Sequence, residues 1–319
     1  MLPRGRQHRE PMLNMRHLIT LADLKSAEIE RIFAITEDLK SKYESGLREP
    51  LLPGRVMALL FEKPSLRTRV SFEAGMAHLG GNSLFLGEEV GFGNRESIAD
   101  FGRVLSEYVD AIVVRTRSHQ KVIELAEFSS CSVINGLTDY DHPCQALADL
   151  YTLRELNGPL EGQTLAYIGD GNNVARSLAR GCGKMGMRFG LAAPPGYHFD
   201  KPFLANLKKD VPELKMTVSD DPREIVRDAD AVYTDVWTSM GQEAEAEKRR
   251  GEFAAFQVNE ELMQAAPKRA YFMHCLPARR GEEVTDAVID GPRSVVVQQA
   301  ANRLHVQKGI LAWLLGAQR

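Results

Sequence analysis

The stretch Val56-Met57-Ala58-Leu59-Leu60-Phe61-Glu62-Lys63-Pro64-Ser65-Leu66-Arg67-Thr68-Arg69 decides the fold. It opens with a short, continuously apolar run, the pattern of a strand buried on both faces of a parallel sheet. Pro64 breaks the strand. Beyond Ser65 the pattern turns helical, through Val70, Phe72, Ala74 and Ala77-His78-Leu79, until Gly80-Gly81 stops it. The first helical turn therefore falls on Leu66, Arg67 and Thr68. Backbone N–H groups without an intrahelical acceptor, the positive end of the helix dipole, hydroxyls and a guanidinium converge there, a combination suited to phosphate. The plainer reading is an ordinary Ser65 N-cap followed by a solvated face that carries Arg67 and Arg69. On these residues alone both readings stand.

A chain of 319 residues is longer than one compact core usually holds, which predicts two domains. The formal net charge of -3 gives no basic surface for nucleic acid, and no apolar run is long enough to cross a bilayer, so the expectation is a soluble cytoplasmic enzyme. The four cysteines, Cys131, Cys144, Cys182 and Cys275, are far apart, which fits neither a zinc knuckle nor a disulfide framework. Residues 1–14 contain Arg and Pro but no apolar stretch, and read as a flexible N-terminal extension; as a mitochondrial presequence they are short and carry Glu10.

Helical periodicity over residues 24–43 predicts a packing helix. After the anion motif come a strand at 83–86, a glycine-rich mobile loop at 87–95 and a helix at 96–108. A buried strand at 111–114 ends in Arg115, followed by a helix at 120–128 and a strand at 132–135. Beyond Asn157-Gly158-Pro159 a second set of strands begins, at 164–168, 189–193, 215–218, 231–234 and 270–273, with helices at 222–227 and 260–266 between them. This alternation predicts an α/β protein of two doubly wound domains, each with a mainly parallel sheet flanked by helices. The expected division is 15–150 for the first domain, 151–297 for the second, and 298–319 for a C-terminal helix that packs back on the first. Ligands of such sheets collect at the carboxyl ends of the strands, where Arg115 falls.

Several motifs carry candidate chemistry. In His142-Pro143-Cys144-Gln145, Pro143 suits the first position of a helix, which sets His142 at the cap and Gln145 in the first turn. A lone His there is usually structural, and Cys144 reads as core. Gly169-Asp170-Gly171-Asn172-Asn173-Val174 is close to a dinucleotide fingerprint, but Val174 stands for the third glycine and the next strand lacks a closing acid. His274 and Cys275 offer too few ligands for a metal, and a buried inert Cys is the commoner reading. The charged run 242–250 fits a solvated face or a lid.

Taken in order, Ser65-x-Arg67-Thr68-Arg69, His142-Pro-x-Gln145, Asp235-x-x-x-Ser239-Met240-Gly241, His274-Cys275-Leu276-Pro277 and Asn302-Arg303-Leu304-His305 resemble the motifs of the aspartate and ornithine carbamoyltransferase family, and closely those of its ornithine branch. The resemblance implies that carbamoyl phosphate and L-ornithine give L-citrulline and phosphate, in arginine biosynthesis or its reverse, without cofactor, metal or covalent intermediate. It gives the phosphate to Ser65, the Leu66 backbone, Arg67 and Thr68. It gives the carbamoyl group to Arg115, His142, Gln145, Cys275, Leu276 and Arg303, with Arg115, His142, Cys275 and Arg303 catalytic. Asn173, Asp235, Ser239 and Met240 would hold ornithine. It further implies that loop 87–95 reaches a neighbouring subunit's site in a homotrimer or a multiple of trimers. This chain departs from the family pattern at Leu66, where Thr is common, and at Gln299 and Ala301, where glutamates are usual. Rivals are relatives acting on aspartate, putrescine or N-acylated ornithine and, from another class, a dinucleotide-dependent oxidoreductase.

Overall fold

The structure, a computed structural model, describes residues 16–238 and 243–316. The expected extension 1–14 lies outside the described residues. Strand β1 (Val56–Phe61) sits inside a sheet with β2 (Asn82–Leu86), β3 (Ala111–Arg115) and β4 (Ser132–Leu137), all parallel, in the order β2-β1-β3-β4. The chain reaches this sheet through helix α1 (Ser26–Glu44), and its connections are α2 (Leu66–His78), α3 (Ile98–Leu105) and α4 (His119–Phe128). The apolar runs of β1 and β3 are buried nearly throughout, whereas the edge strand β2 leaves Leu84 and Phe85 exposed.

Helix α5 (Pro143–Asn157) then runs unbroken past residue 150, so the expected boundary at 150/151 lies inside a helix. Burial along α5 from Pro143 to Leu153 fixes it to both halves, and the chain passes into the second sheet only after Gly158. That sheet contains β5 (Thr164–Ile168), β6 (Arg188–Ala192), β7 (Lys215–Ser219), β8 (Ala231–Thr234) and β9 (Tyr271–His274), again all parallel, in the order β7-β6-β5-β8-β9. Its helices are α6 (Asn173–Lys184), α7 (Lys201–Asp210), α8 (Pro222–Val226), α9 (Ala246–Phe253), α10 (Glu260–Ala265) and α11 (Asp286–Ile289). Local chemistry sets their starts: Asn172, Asp200, Asp221 and Asn259 each accept a first-turn N–H, a contact worth about 1 kcal/mol per cap.

The last helix, α12 (Val296–Leu315), begins earlier than 298 and well before Asn302, which lies inside it. It packs on α1, α2 and α5 and also touches β9. Gly309 permits the approach to α1: a Cβ there would collide with the Thr36 side chain and the Ile32 carbonyl. The largest cluster of buried apolar side chains runs through both domains by way of α1, α5 and α12. No helix among the described residues is long and apolar enough to cross a membrane.

Candidate active site

Each sheet has one point where the chain reverses its direction of winding, between β1 and β3 in the first and between β5 and β8 in the second. Ligands of open parallel sheets bind just outside the strand ends at such points. Here the two points face one cavity of about 880 Å³, lined by both domains.

The wall from the first domain is cationic. Ser65 is the N-cap of α2, its hydroxyl accepting from the Thr68 N–H at 3.3 Å, and it also lines the cavity, so the cap and the cavity wall are one residue. The two arginines of the motif part company. Arg67 lines the cavity, while Arg69 pairs with Glu73 at 3.1 Å and lies over the Phe85 ring. The Leu66 side chain points to solvent, 74% exposed, so only its backbone is placed to act. Arg115, at the end of β3, donates to the Thr68 hydroxyl at 3.5 Å, and Arg303 reaches the same oxygen from α12 at 3.3 Å. Burial, and then the neighbouring guanidiniums of Arg303 and Arg67, push Arg115 down to about 10. Burial lowers Arg303 as well. Both remain cations at neutral pH, in mutual repulsion that a bound anion would relieve.

His142 forms the floor. It precedes Pro143 at the start of α5 and is buried, and burial, then Arg303 and Arg115, hold its pKa well below the ordinary histidine range. It is a neutral ring whose Nδ1 has no hydrogen-bond partner among the described residues; the same is true of Arg303 Nε. Gln145 accepts a hydrogen bond from Arg303 through Oε1 and donates to Asp149 at 2.8 Å through Nε2. Asp149 also accepts from Tyr233 at 3.0 Å and from Gln299 at 2.7 Å. Burial pushes the Asp149 carboxyl up to about 6, against the pull of those three hydrogen bonds. Gln299, one of the departures, thus holds the chain Asp149–Gln145–Arg303 with a neutral amide and accepts the His274 N–H at 2.9 Å. The sequence reading missed Asp149 and Tyr233. The available signal was a carboxylate one helical turn beyond Gln145, flanked by Ala146, Leu147, Ala148 and Leu150.

The opposite wall carries acid and thiol. Asp235, just past β8, accepts from the Cys275 thiol at 3.1 Å, from Asn172 Nδ2 at 3.0 Å and from the Val236 N–H at 2.8 Å. Burial, then Asp235, hold the Cys275 thiol well above its usual range, so it stays protonated. Asn173 lines the cavity, but its amide donates to the Thr138 carbonyl at 2.7 Å; Asn172 is the residue that touches Asp235. Ser239 and Met240 lie outside the described residues. Leu276 has a left-handed backbone, φ 56°, a conformation rare for a leucine, and its N–H donates to His274 Nδ1 at 2.8 Å. Of the charged run, Lys248 and Arg250 are solvated, but Arg249 is buried and joins Asp170 at 2.6 Å and the Trp237 carbonyl at 2.8 Å. Both partners of that pair escaped the sequence reading, although Arg249 and Phe253 share a helix face.

The ligand atoms of Asp235, His274 and Cys275 lie within 4.8 Å of one another, more donors than His274 and Cys275 alone. His274, however, accepts at Nδ1 from Leu276 and reaches Glu283 at 3.1 Å through Nε2, so both ring nitrogens are engaged. The glycine turn also differs from a dinucleotide site. A Cβ on Gly171 would stand 3.0 Å from the backbone of His198 and Phe199, so this glycine serves chain packing.

Residues 16–155 match the family model "Aspartate/ornithine carbamoyltransferase, carbamoyl-P binding domain", and residues 161–314 match its companion, the Asp/Orn binding domain. The chain belongs to the aspartate/ornithine carbamoyltransferase family. It is 53% identical over 306 residues to the ornithine carbamoyltransferase of Anoxybacillus flavithermus, covering 95% of this chain and 98% of that one. To the Bacillus subtilis ornithine carbamoyltransferase it is 51% identical, covering 93% of each. The solved ornithine carbamoyltransferase of Pyrococcus furiosus superposes with a TM-score of 0.92 at 48% identity, covering 96% of this chain and 99% of that one. Within the family's two-domain frame, Ser65, Arg67, Thr68, Arg115, His142 and Gln145 fall in the carbamoyl-P binding match, and Asn172, Asp235 and Cys275 in the Asp/Orn binding match. Arg303 falls in the second match by sequence yet faces the first wall, because α12 packs back across α2 and α5.

Proposed function

We propose that the chain transfers the carbamoyl group of carbamoyl phosphate to the side-chain amine of L-ornithine, giving L-citrulline and phosphate. The observation that carries this reading is the polarity of one cavity, with Arg67, Arg115 and Arg303 on one side and Asp235 with Cys275 on the other. The first side suits a phosphate and the second an amine. An aspartate acceptor would call for arginine in place of Asp235.

In this reading Ser65, the Leu66 N–H, Arg67 and Thr68 hold the phosphate, and Gln145 and the Leu276 carbonyl hold the carbamoyl amide. Arg115, His142 and Arg303 point hydrogen-bond donors at the carbonyl oxygen. A neutral His142 serves here as a donor without adding a third buried cation. Asp235 and Cys275 receive the ornithine amine, Asn172 steadies Asp235, and Asn173, Ser239 and Met240 take the amino-acid head group. The uncharged amine attacks the carbonyl carbon, negative charge gathers on the oxygen, and the carbon–oxygen bond to phosphate breaks. The proton lost by the amine leaves on the phosphate. The reaction balances without a metal or a redox partner.

The reading extends to a homotrimer in which loop 87–95 reaches a neighbour's site. Leu66, Val70, Leu84 and Phe85 stay exposed around the edge strand β2, apolar surface that a second subunit would cover. Phe92, in mid-loop, is buried in its own chain and its carbonyl accepts from Lys121 at 3.4 Å, which leaves Glu88, Glu89, Asn94 and Arg95 to reach outward. The cytoplasm is the proposed compartment, in keeping with cysteines that are unpaired.

The test is citrulline formation by the purified protein from carbamoyl phosphate and L-ornithine, with aspartate, putrescine and N-acetylornithine as competing acceptors. Citrulline as the dominant product is expected. Preference for another acceptor would overturn the assignment of the Asp235 wall.

A further inference from the structure

His142 opens α5 without using its side chain as a cap, unlike Ser65 in α2 or Asn172 in α6. Its imidazole is thereby left to the cavity, and its backbone is held from outside by the other domain. The His142 N–H donates to Ser177 Oγ at 2.8 Å, and Ser177, in mid-α6, donates to the Asp141 carboxylate. The other oxygen of Asp141 meets Arg180 of the same helix at 2.5 Å. Arg180 in turn is fixed by Asp210 at 3.1 Å and by the Tyr140 hydroxyl at 3.3 Å. Asp141 and Ser177 are wholly buried and Arg180 nearly so. One helix of the second domain thus clamps the peptide that carries His142, through a serine set by an ion pair.

We infer that Ser177, Asp141 and Arg180 are positioning residues for the carbamoyl transfer, holding the His142 peptide so that its ring meets the carbamoyl oxygen in the transition state. The inference rests on the carbamoyl-transfer reading. A buried ion pair is a poor source of stability, since apolar side chains of similar volume do as well or better in such places. The work of this one is geometric: it keeps Ser177 Oγ pointed so that its lone pair faces the His142 N–H. None of the three residues lines the cavity, and the phosphate anchors at Ser65–Thr68 lie on a different element. A fault in the clamp therefore reaches the chemical step without reaching ground-state binding of carbamoyl phosphate.

Ser177→Ala removes only the hydroxyl and leaves the ion pair. The double variant Asp141→Leu with Arg180→Met removes both charges together, so that neither is left buried alone. Steady-state kinetics of citrulline formation, with thermal unfolding alongside, supply the readout. For both variants we expect an unfolding temperature close to that of the unmodified protein, an unchanged KM for carbamoyl phosphate and a kcat lower by roughly tenfold to 100-fold, the scale of a small misplacement of a reacting group. Unchanged kcat in folded Ser177→Ala overturns the inference. So does a loss traceable to unfolding, or one shared equally by both KM values, since each marks a purely structural role. Absence of citrulline with the unmodified protein would instead overturn the carbamoyl-transfer reading on which the inference stands.

Discussion

The two walls of the cavity stand at equivalent places, each beside the reversal point of a parallel sheet, yet they carry opposite chemistry. The first collects Arg115 and Arg303 around the Thr68 hydroxyl, with Arg67 lining the same cavity; the second collects Asn172, Cys275 and a backbone N–H around the Asp235 carboxylate. The difference teaches that sheet topology gives a crevice but not its ligand. In the proposed reading, the charge of the side chains at the strand ends sends an anion to one side and an amine to the other.

Removing a donor from the floor between the walls should have the largest effect. His142→Ala should lower kcat on the order of 100-fold to 1,000-fold, as loss of an oxyanion donor does. Because burial and the adjacent guanidiniums keep His142 neutral, kcat of the unmodified protein should show no limb from a histidine titrating near its ordinary pKa. A pH–rate profile checks the second point, and a kcat within tenfold of the unmodified value would break the first.

The support behind the cationic wall is tested through Asp149, whose carboxyl burial raises to about 6 from 3.8. A raised carboxyl keeps its proton more firmly folded than unfolded, so its contribution to stability is fullest below the unfolded pKa and is lost as pH rises through the folded one. Relative to Asp149→Asn, the unmodified protein should lose roughly 3 kcal/mol of stability between about pH 4 and pH 7. Denaturant unfolding of both proteins across that window measures it; a flat difference would mean that the three hydrogen bonds fully offset burial, and a difference of opposite slope that they outweigh it.

The smallest effect is expected at Leu66, where the side chain faces solvent. Leu66→Thr should change the KM for carbamoyl phosphate by no more than about twofold, the range of surface substitutions. A larger gain would show that a hydroxyl at this position joins the phosphate wall.

The first wall was legible only in part: the strand, the Pro64 break and Ser65–Thr68 are contiguous, but on those residues alone a plainly capped helix read as well, and Arg303 joins Thr68 from 235 positions away. The two parallel sheets were legible, since buried strands such as β1, β3, β5 and β8 read as short apolar runs. The second wall and the supports were less so. Asn172 meets Asp235 from 63 positions away, Gln299 meets Asp149 from 150, and nothing local in the sequence marks such pairs. Arg249 sits in a run that reads as a solvated face or a lid, with nothing local to mark its burial against Asp170, and α5 gave no compositional cue that one helix serves both domains.

Calorimetric titration of Arg67→Ala and Asp235→Ala tests the division of the cavity most directly, with carbamoyl phosphate alone and then with ornithine at saturating phosphate. The account predicts a crossed result. Arg67→Ala should lose roughly 1.5 to 3 kcal/mol in carbamoyl phosphate binding, the worth of a charge-assisted hydrogen bond, while Asp235→Ala binds carbamoyl phosphate normally and loses ornithine. Equal losses of both ligands in both variants would contradict a cavity with one anionic-ligand wall and one amine wall.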